Sequence, residues 1–323
     1  MNDPTALMVL PRLQVQNANA ISGSICWGFP SPTAFVGFAH ALERKFPSEL
    51  RKGFGGVGII CHQFHPQVCL SPGRRTHVFR LTRNPVKEDG GATALVEEGR
   101  AHMEISLVIA VKDHMPARSG EYFAEDVLAT AQGMRVAGGS ILPTRDGKRF
   151  SAQWWTLADN PEGQTEIFRK LRRQLLPGFA LVQREDLLAE HLTEIRLRYP
   201  EGNALDALLD LSRLNIEPDR PSLDIPDERQ WGVRKKPGWL VPLPIGYSAL
   251  SPLYAPDKVK NTRDGVTPFR FVEGLYSLGE WVGPHRLENV RQLLWHTETD
   301  PANGIYRCIN HYLTPVQSTD RLR

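Results

Sequence analysis

The sequence predicts an α+β protein whose elements follow one another as β-α-β-β-α-β over roughly the first 140 residues. Three observations carry this reading. Residues 6–15, ALMVLPRLQV, and 101–111, AHMEISLVIAV, are apolar runs of strand length. Phe35, Phe38, Ala39 and Leu42 recur at i, i+3, i+4 and i+7, the period of an amphipathic helix, and Phe123, Val127, Ala131 and Met134 mark a second one. The chain also holds 27 Gly and 25 Pro in 323 residues, which predicts many turns and irregular connections.

The strand at 6–15 leads into a polar stretch, QNANA. Ser31 then caps a helix over 32–46 that has Pro32 at its first position, and Pro47 stops it. The glycine-rich 53–58 enters a strand at about 57–70. Residues 74–86, RRTHVFRLTRNPV, end at Asn-Pro and predict a hairpin or projecting arm. After the strand at 101–111 and the second helix, 135–142, RVAGGSIL, reads as a strand interrupted by two glycines. This is the split, ferredoxin-like arrangement, with the arm inserted between its second and third strands. Residues 164–216 read as helical. Ile167, Leu171 and Leu175 form one stripe, Leu188, Leu192 and Ile195 another, and Asn203 caps a third helix holding Leu205, Leu208 and Leu209. Four prolines in 217–237 predict a linker or mobile loop. Beyond Gly238, amphipathic helices are expected near 269–282 and 286–296. The organisation expected is a ferredoxin-like domain over 1–145 with its arm at about 71–92, a helical region over 146–216, the linker at 217–237, and a proline-rich, helical and irregular region over 238–323 packing on the core.

Hydrophobic residues at 41% and charged residues at 23% are ordinary for a globular chain and exclude disorder of the whole. No apolar run reaches the ~18 residues a membrane span needs, so no membrane partner is expected. MNDPTALMVLP lacks the basic start of a secretory signal. Cys26, Cys61, Cys69 and Cys308 show no disulfide-framework spacing, and free thiols in a cytoplasmic protein are the expectation.

The net charge of +3 hides its distribution. From Arg51 to Lys87 there are seven Lys/Arg and no Asp or Glu. A local basic stripe of this kind is the electrostatic footprint of a polyanion site, against the plainer reading of a solvated arginine loop. The candidate cations of the arm are Arg74, Arg75, Arg80 and Arg83, with Asn84 beside them.

Several motifs fail on context. Gly53-Phe54-Gly55-Gly56-Val57-Gly58 fits G-x-G-x-x-G, but a helix precedes it and a strand follows, the reverse of a dinucleotide site. Lys52-Gly53-Phe54-Gly55 opens like an RNA-recognition RNP1 motif, yet Gly56 and Ile59 stand where base-stacking aromatics are needed. Cys61, His62, His65 and Cys69 are metal-ligand types, but strand parity turns His62 away from the others and spreads the rest too far to converge. No resident metal or cofactor is expected. Two stretches do suit a ligand. Arg12 opens a stretch of candidates whose amides, Gln16, Asn17 and Asn19, are poor strand material and good partners for bases and sugars. Gly138, Gly139 and Ser140 allow close backbone approach, with Arg135 and Arg100 near for phosphate.

The string LPRLQVQNANAISGSICWGFPSPTAFVGFAHAL closely resembles a subunit family of the type I-F CRISPR surveillance complex, the Csy complex. So do TRNP at 82–85, VEEGRAHMEISL at 96–107, MRVAGGSILP at 134–143, LLPGFALV at 175–182, KPGWLVPLPIGYSALSPLY at 236–254 and FVEGLYSLGEW at 271–281. The family is that of the second Csy subunit, within the fifth Cas family. The resemblance covers nearly the whole chain, and matches least at 113–125 and 217–235.

It implies an RRM-related fold of the RAMP superfamily and a non-catalytic subunit, with no cofactor, that binds the 5′ handle of CRISPR RNA (crRNA) together with the large Csy subunit. Backbone Csy subunits, target double-stranded DNA beside the protospacer-adjacent motif and phage anti-CRISPR proteins are the other implied partners. Base pairing would supply sequence specificity and protein the shape and backbone contacts. Gln16, Asn17, Asn19, Ser22, Trp27 and Phe29 become handle-contact candidates. The basic arm resembles a thumb that wedges at the first guide position. Two other readings stay open: a metal-independent repeat-RNA endoribonuclease, which needs a histidine beside a Ser, Tyr or Lys at the RNA site, and a protein-interaction module without RNA.

Overall fold

The computed structural model describes residues 4–70, 72–73, 76–143, 145, 147, 150–218 and 231–313. Among these the fold is mixed α/β: five α-helices surround an eleven-stranded sheet whose pairings are antiparallel. None of the described helices is long and apolar enough to cross a membrane.

Strand β1 (Ala6–Asn19) is longer than its composition predicts. It keeps pairing through Gln16, Asn17 and Asn19 because two irregularities re-aim it, one between Leu10 and Leu13 and one between Val15 and Ala18. Arg12 (φ 52°) and Asn17 (φ 59°) take the left-handed conformation there. Each irregularity absorbs a residue, so Met8, Leu10, Leu13, Val15 and Ala18 all reach the same core despite their uneven spacing. A small hairpin follows, β2 (Ile21–Gly23) with β3 (Cys26–Trp27). Helix α1 (Pro32–Glu43) begins where the sequence places it: the Ser31 side chain accepts from Thr33 N–H and Pro32 is first in the helix.

Strand β4 (Phe54–Pro66) runs beside β9 (Arg100–Val111), with the arm between them in sequence. The arm consists of two short hairpins, β5 (Val68–Leu70) with β6 (His77–Phe79) and β7 (Leu81–Arg83) with β8 (Leu95–Glu97). Helix α2 (Ala117–Gln132) buries Phe123, Val127 and Ala131 as expected. It is followed by the tight hairpin β10 (Arg135–Val136) and β11 (Gly139–Ile141), which docks on β1. Ala137 (φ 50°) and Gly138 (φ 75°) turn it, as a two-residue hairpin requires. At Gly139 a Cβ would lie 2.7 Å from Val15 Cγ1 and 2.8 Å from Ala18 N, so glycine is needed for the hairpin to seat. The strands expected at 6–15, 57–70, 101–111 and 135–142 thus stand in the order fourth, first, third, second.

The remainder departs from expectation. Residues 164–216 are not all helical. Between α3 (Pro161–Gln174) and α4 (Glu185–Arg198) lies β13 (Phe179–Gln183), in the sheet beside β4, while β12 (Gln153–Thr156) pairs with β1. Helix α5 (Ala204–Ser212) has the Asn203 cap the sequence predicts, completed by Asp206 into a capping box. Of the expected linker, β14 (Ile216–Pro218) and β15 (Trp231–Val233) pair with each other; 219–230 lie outside the described residues. The helix expected near 269–282 is strand β17 (Val272–Val282), paired with β16 (Leu240–Ala249). The one expected near 286–296 is two short 3-10 turns and the start of β18 (Leu294–Asp300), which pairs with β19 (Ile305–Asn310). The C-terminal elaboration is therefore largely β rather than helical. Ser277, Leu278, Glu280, Trp281 and Val282 are all buried, so β17 lacks the alternation that would reveal a strand.

These strands close on themselves. β4 pairs β13, β13 pairs β17, β17 pairs β16, β16 pairs β19, β19 pairs β18, and β18 returns to β4 at Leu294–Gly58 and Trp295–Val57. Helices α1 and α2 cover one face of the four-strand portion; α3 covers one half of the other through Phe168 and Leu171 against Leu7, Val9, Val108 and Ala110. The half left open carries Gln14, Gln16 and His102, with the largely covered Arg12 and Glu104 at its border with the covered half. At Gly246 a Cβ would run into the Tyr306 carbonyl across the β16–β19 pairing. Gly246→Ala is expected to destabilise the protein by about 3 kcal/mol through this overpacking, read as a lower denaturant midpoint; an unchanged midpoint would show that the ring does not depend on this approach.

Candidate nucleic-acid interface

The open half-face is built by β1, β9, the β10–β11 hairpin and the root of the arm. Gln16 pairs with Ser140, Ser140 pairs with Arg135, and all three are exposed. Asn17 N–H donates to His102 Nδ1 at 3.2 Å, and the Gln67 carboxamide lies 2.6 Å from Asn17 Oδ1 and 3.0 Å from His102 Nε2. Sequence reasoning missed Gln67, because only the close approach of strands distant in sequence makes it part of the site. Asn19 folds back on its own chain. Its Nδ2 donates to the Ile21 carbonyl at 2.7 Å, its Oδ1 accepts from Ile21 N–H at 3.0 Å, and its backbone N–H holds the Ala137 carbonyl at 2.8 Å. It shapes the surface by fixing the turn. Gly138 stands at the exposed tip and Gly139 beneath it, buried against β1.

The cations divide into two groups. Arg12 is buried and bound within the protein: its Nη1 reaches Glu104 Oε1 at 2.8 Å and its Nη2 faces the Leu176 and Pro177 carbonyls at 3.3 and 3.4 Å. Arg100 is paired with Glu98. Arg12, expected among the RNA-contact residues, and Arg100, expected near phosphate, are thus each already paired with a carboxylate of the protein. Arg80, Arg83 and Arg135 are exposed and carry no ion pair among the described residues, and Asn84 is exposed beside Arg83. Arg80 N–H donates to the Gln67 carbonyl at 3.3 Å, which joins the arm to the Asn17 network. Arg74 and Arg75 lie outside the described residues.

Ser22, Trp27 and Phe29 come together elsewhere, around an apolar cavity of about 470 Å³ bounded also by Cys61, Phe64, Phe179, Trp239, Pro242, Pro244 and Trp281. Phe29 packs on Phe35 and Phe64 and edge-on to Trp281, at centroid distances of 5.4, 5.9 and 4.9 Å. Trp281 neighbours Trp239 at 6.4 Å, and Trp239 meets Phe179 at 5.5 Å. Phe29 is thus a core side chain with one edge on the cavity, while Trp27 is largely exposed and meets Phe79 of the arm edge-to-face at 5.4 Å.

The other motifs have structural roles. Asp113 accepts backbone N–H bonds from Arg51, Lys52 and Gly53, and Glu43 accepts one from Phe54. The glycine-rich loop therefore wraps around the protein's own carboxylates. His62 sits 2.7 Å from Ser106 Oγ, a pairing a nuclease could use, but Ser106 is buried and accepts the Arg12 N–H at 3.0 Å. The other ring nitrogen of His62 lies 2.6 Å from the Pro177 carbonyl. His62 thus fastens the Arg12 irregularity to β4 and the 176–178 loop. The strand parity assumed for 61–69 breaks at an irregularity between Cys61 and Gln63, which brings Cys61, Phe64 and Pro66 to one cavity wall. Burial pushes the thiols of Cys61 and Cys308 up to about 12 and that of Cys26 to about 11, so none is a thiolate at neutral pH. A wider cleft of about 870 Å³ lies among α4, α5 and the segment 234–237, where His191, Arg213 and Arg234 converge on Asp210.

Burial raises the Glu104 carboxyl, but the hydrogen bond and charge of Arg12 outweigh it and hold the group below the usual carboxylate range. Its folded value is lower than its unfolded one. The stability it adds is complete above the unfolded value of ~4.3 and is lost as pH falls through the folded value. Glu104→Gln is expected to lower the melting temperature at pH 7 and to converge on the parent as pH falls through the folded value, followed by thermal melts in acid titration from neutral pH. A pH-independent difference would break the link to ionisation.

Residues 8–308 match the family model described as "CRISPR-associated protein (Cas_Csy2)". The chain is also 50% identical over 314 residues to "CRISPR-associated protein Csy2" of Pseudomonas aeruginosa (strain UCBPP-PA14), covering 95% of this chain and 96% of that protein. An apolar-cored sheet with one half-face kept polar, and a basic arm at its edge, thus lies in a chain that belongs to the Csy2 family of CRISPR-associated proteins, the second-subunit family of the type I-F Csy complex.

Proposed function

We propose that this chain is a non-catalytic, cytoplasmic subunit of a type I-F surveillance complex that binds the 5′ handle of crRNA together with the large Csy subunit. Backbone Csy subunits and target double-stranded DNA near the protospacer-adjacent motif complete its partners. Residues 6–141 act as a ferredoxin-like, RRM-related domain; their strand order, fourth-first-third-second, supports this. The observation that carries the function is the open half-face, where Gln16, Asn17, Gln67, His102 and Ser140 offer amide, imidazole and hydroxyl groups beside the exposed Arg80, Arg83 and Arg135. Single-stranded RNA is held in this way, with splayed bases meeting polar side chains and phosphates meeting arginines.

Among the described residues the half-face carries no row of aromatics, so hydrogen bonds and charge bear the binding there. Replacing Arg80 and Arg83 with Ala is expected to weaken RNA binding and to flatten its salt dependence by roughly 0.7 in slope per lost phosphate contact. Filter binding between 50 and 300 mM salt reads this, and an unchanged slope would remove the arm from the interface. Activity is tested by co-expressing the chain with the large subunit and a CRISPR array, then running the co-purified RNA on a denaturing gel. RNA with an intact 5′ handle that survives prolonged incubation is the expected result. Trimming that disappears in His102→Ala would instead establish a nuclease.

A further inference from the structure

We propose that the aromatic cavity between Trp27 and Trp239 receives one unstacked base of the single-stranded RNA. This rests on the RNA-binding reading above and adds a subsite to it. The cavity, about 470 Å³, is in the size range of small-ligand sites and is lined almost wholly by apolar and aromatic groups. Its floor is fixed: Phe29 and Trp281 are anchored in the core by contacts with Phe35, Phe64 and each other. Its rim is not covered. Trp27 and Trp239 are each 58% exposed and Phe179 is 46% exposed. Two exposed indoles and a phenyl ring around one opening are an unsatisfied apolar surface, of the kind that marks a binding site.

The surroundings select a base as occupant. Trp27 contacts Phe79, and the next residue, Arg80, holds the carbonyl of Gln67. Gln67 in turn binds Asn17 and His102. Pro66, on the cavity wall, directly precedes Gln67. Pro66 and Gln67 turn to opposite sides of the same extended backbone, so the opening and the amide surface lie back to back across the stretch of β4 beyond Cys61 that only β9 pairs, and a strand of RNA passing round that edge has phosphate partners on one side and an apolar slot on the other. The slot suits stacking more than hydrogen-bond readout. Pro242 and Pro244 form part of its wall where, among the described residues, no strand pairs with the outer edge of β16, because β19 joins β16 only at Gly246–Ser248. Proline has no N–H to offer a base edge. Recognition by ring faces tolerates any base, in keeping with an interaction that positions the strand.

The test uses the assembled complex of this chain, its Csy partners and a synthetic crRNA. Val241→Phe fills the cavity from its wall, and a series of crRNAs carries a single abasic site at each 5′-handle position in turn. Stacking of one base predicts that Val241→Phe weakens crRNA binding at least about fivefold. It also predicts that one abasic position causes a similar loss, and that the two losses do not add when combined. Should Val241→Phe prevent assembly, Trp239→Ala takes its place in the same cycle. Additive losses, or no abasic position coupled to the cavity variant, would overturn the subsite. Full crRNA affinity with a loosened protein subunit would overturn it in favour of a protein occupant. Failure of the unaltered complex to bind crRNA would be a different result, sinking the RNA-binding reading itself.

Discussion

Strand β4 is the constraint on which the rest of the structure depends. One edge pairs with β9 along its whole length, and the other is divided between β18 at Val57–Gly58 and β13 at Ile60–Cys61. The four-strand layer and the six-strand ring share this one segment. Its glycines make the sharing possible. A Cβ on Gly58 would lie 2.5 Å from Leu293 Cγ, and one on Gly56 (φ +150°) 2.9 Å from the Trp295 carbonyl oxygen. The pattern that resembles a phosphate-binding loop thus serves close approach of backbones. Trp295, fully buried, donates its indole N–H to the Leu181 carbonyl at 2.8 Å and links two of the strands gathered around β4.

Much of the N-terminal portion is legible in the sequence because each element there obeys its own period. The 35–42 and 123–131 spacings identify α1 and α2, and Ser31-Pro32 and Asn203 mark helix starts. The C-terminal strands are not legible for a physical reason. Leu275, Leu278 and Val282 in β17 fall at helical spacing, and both faces of its second half are buried, so alternation is erased. Strand β13 is short, and follows a Leu-Pro-Gly that reads as a break between helices. Its place in the sheet is set by partners more than a hundred residues before it and about a hundred after.

The candidate site shows the same division. Residue types predicted the amide cluster at Gln16 and Asn17 and the exposed arginines of the arm. They could not show which charges are already balanced. Arg12 and Arg100 look like Arg80 and Arg135 in a linear reading, yet Glu104 and Glu98 hold the first two. Nor could they show that Trp239, from a stretch read as a proline-rich turn, stands opposite Trp27 across one cavity. The left-handed conformation of Arg12 is similarly hidden, since glycine and asparagine advertise it and arginine does not.

The closure of β18 onto β4 also has a consequence for biosynthesis. More than two hundred residues separate the two strands, so part of the outer edge of β4 lacks its partner while they are being made. At typical synthesis rates that interval is roughly 10–50 s. An unpaired apolar edge is a template for pairing with another nascent chain. The segment that carries Gly56 and Gly58 meets this hazard with side chains too small to present a continuous sticky ridge, and the ribosome-bound chain depends on β9 and β13 to shelter the rest.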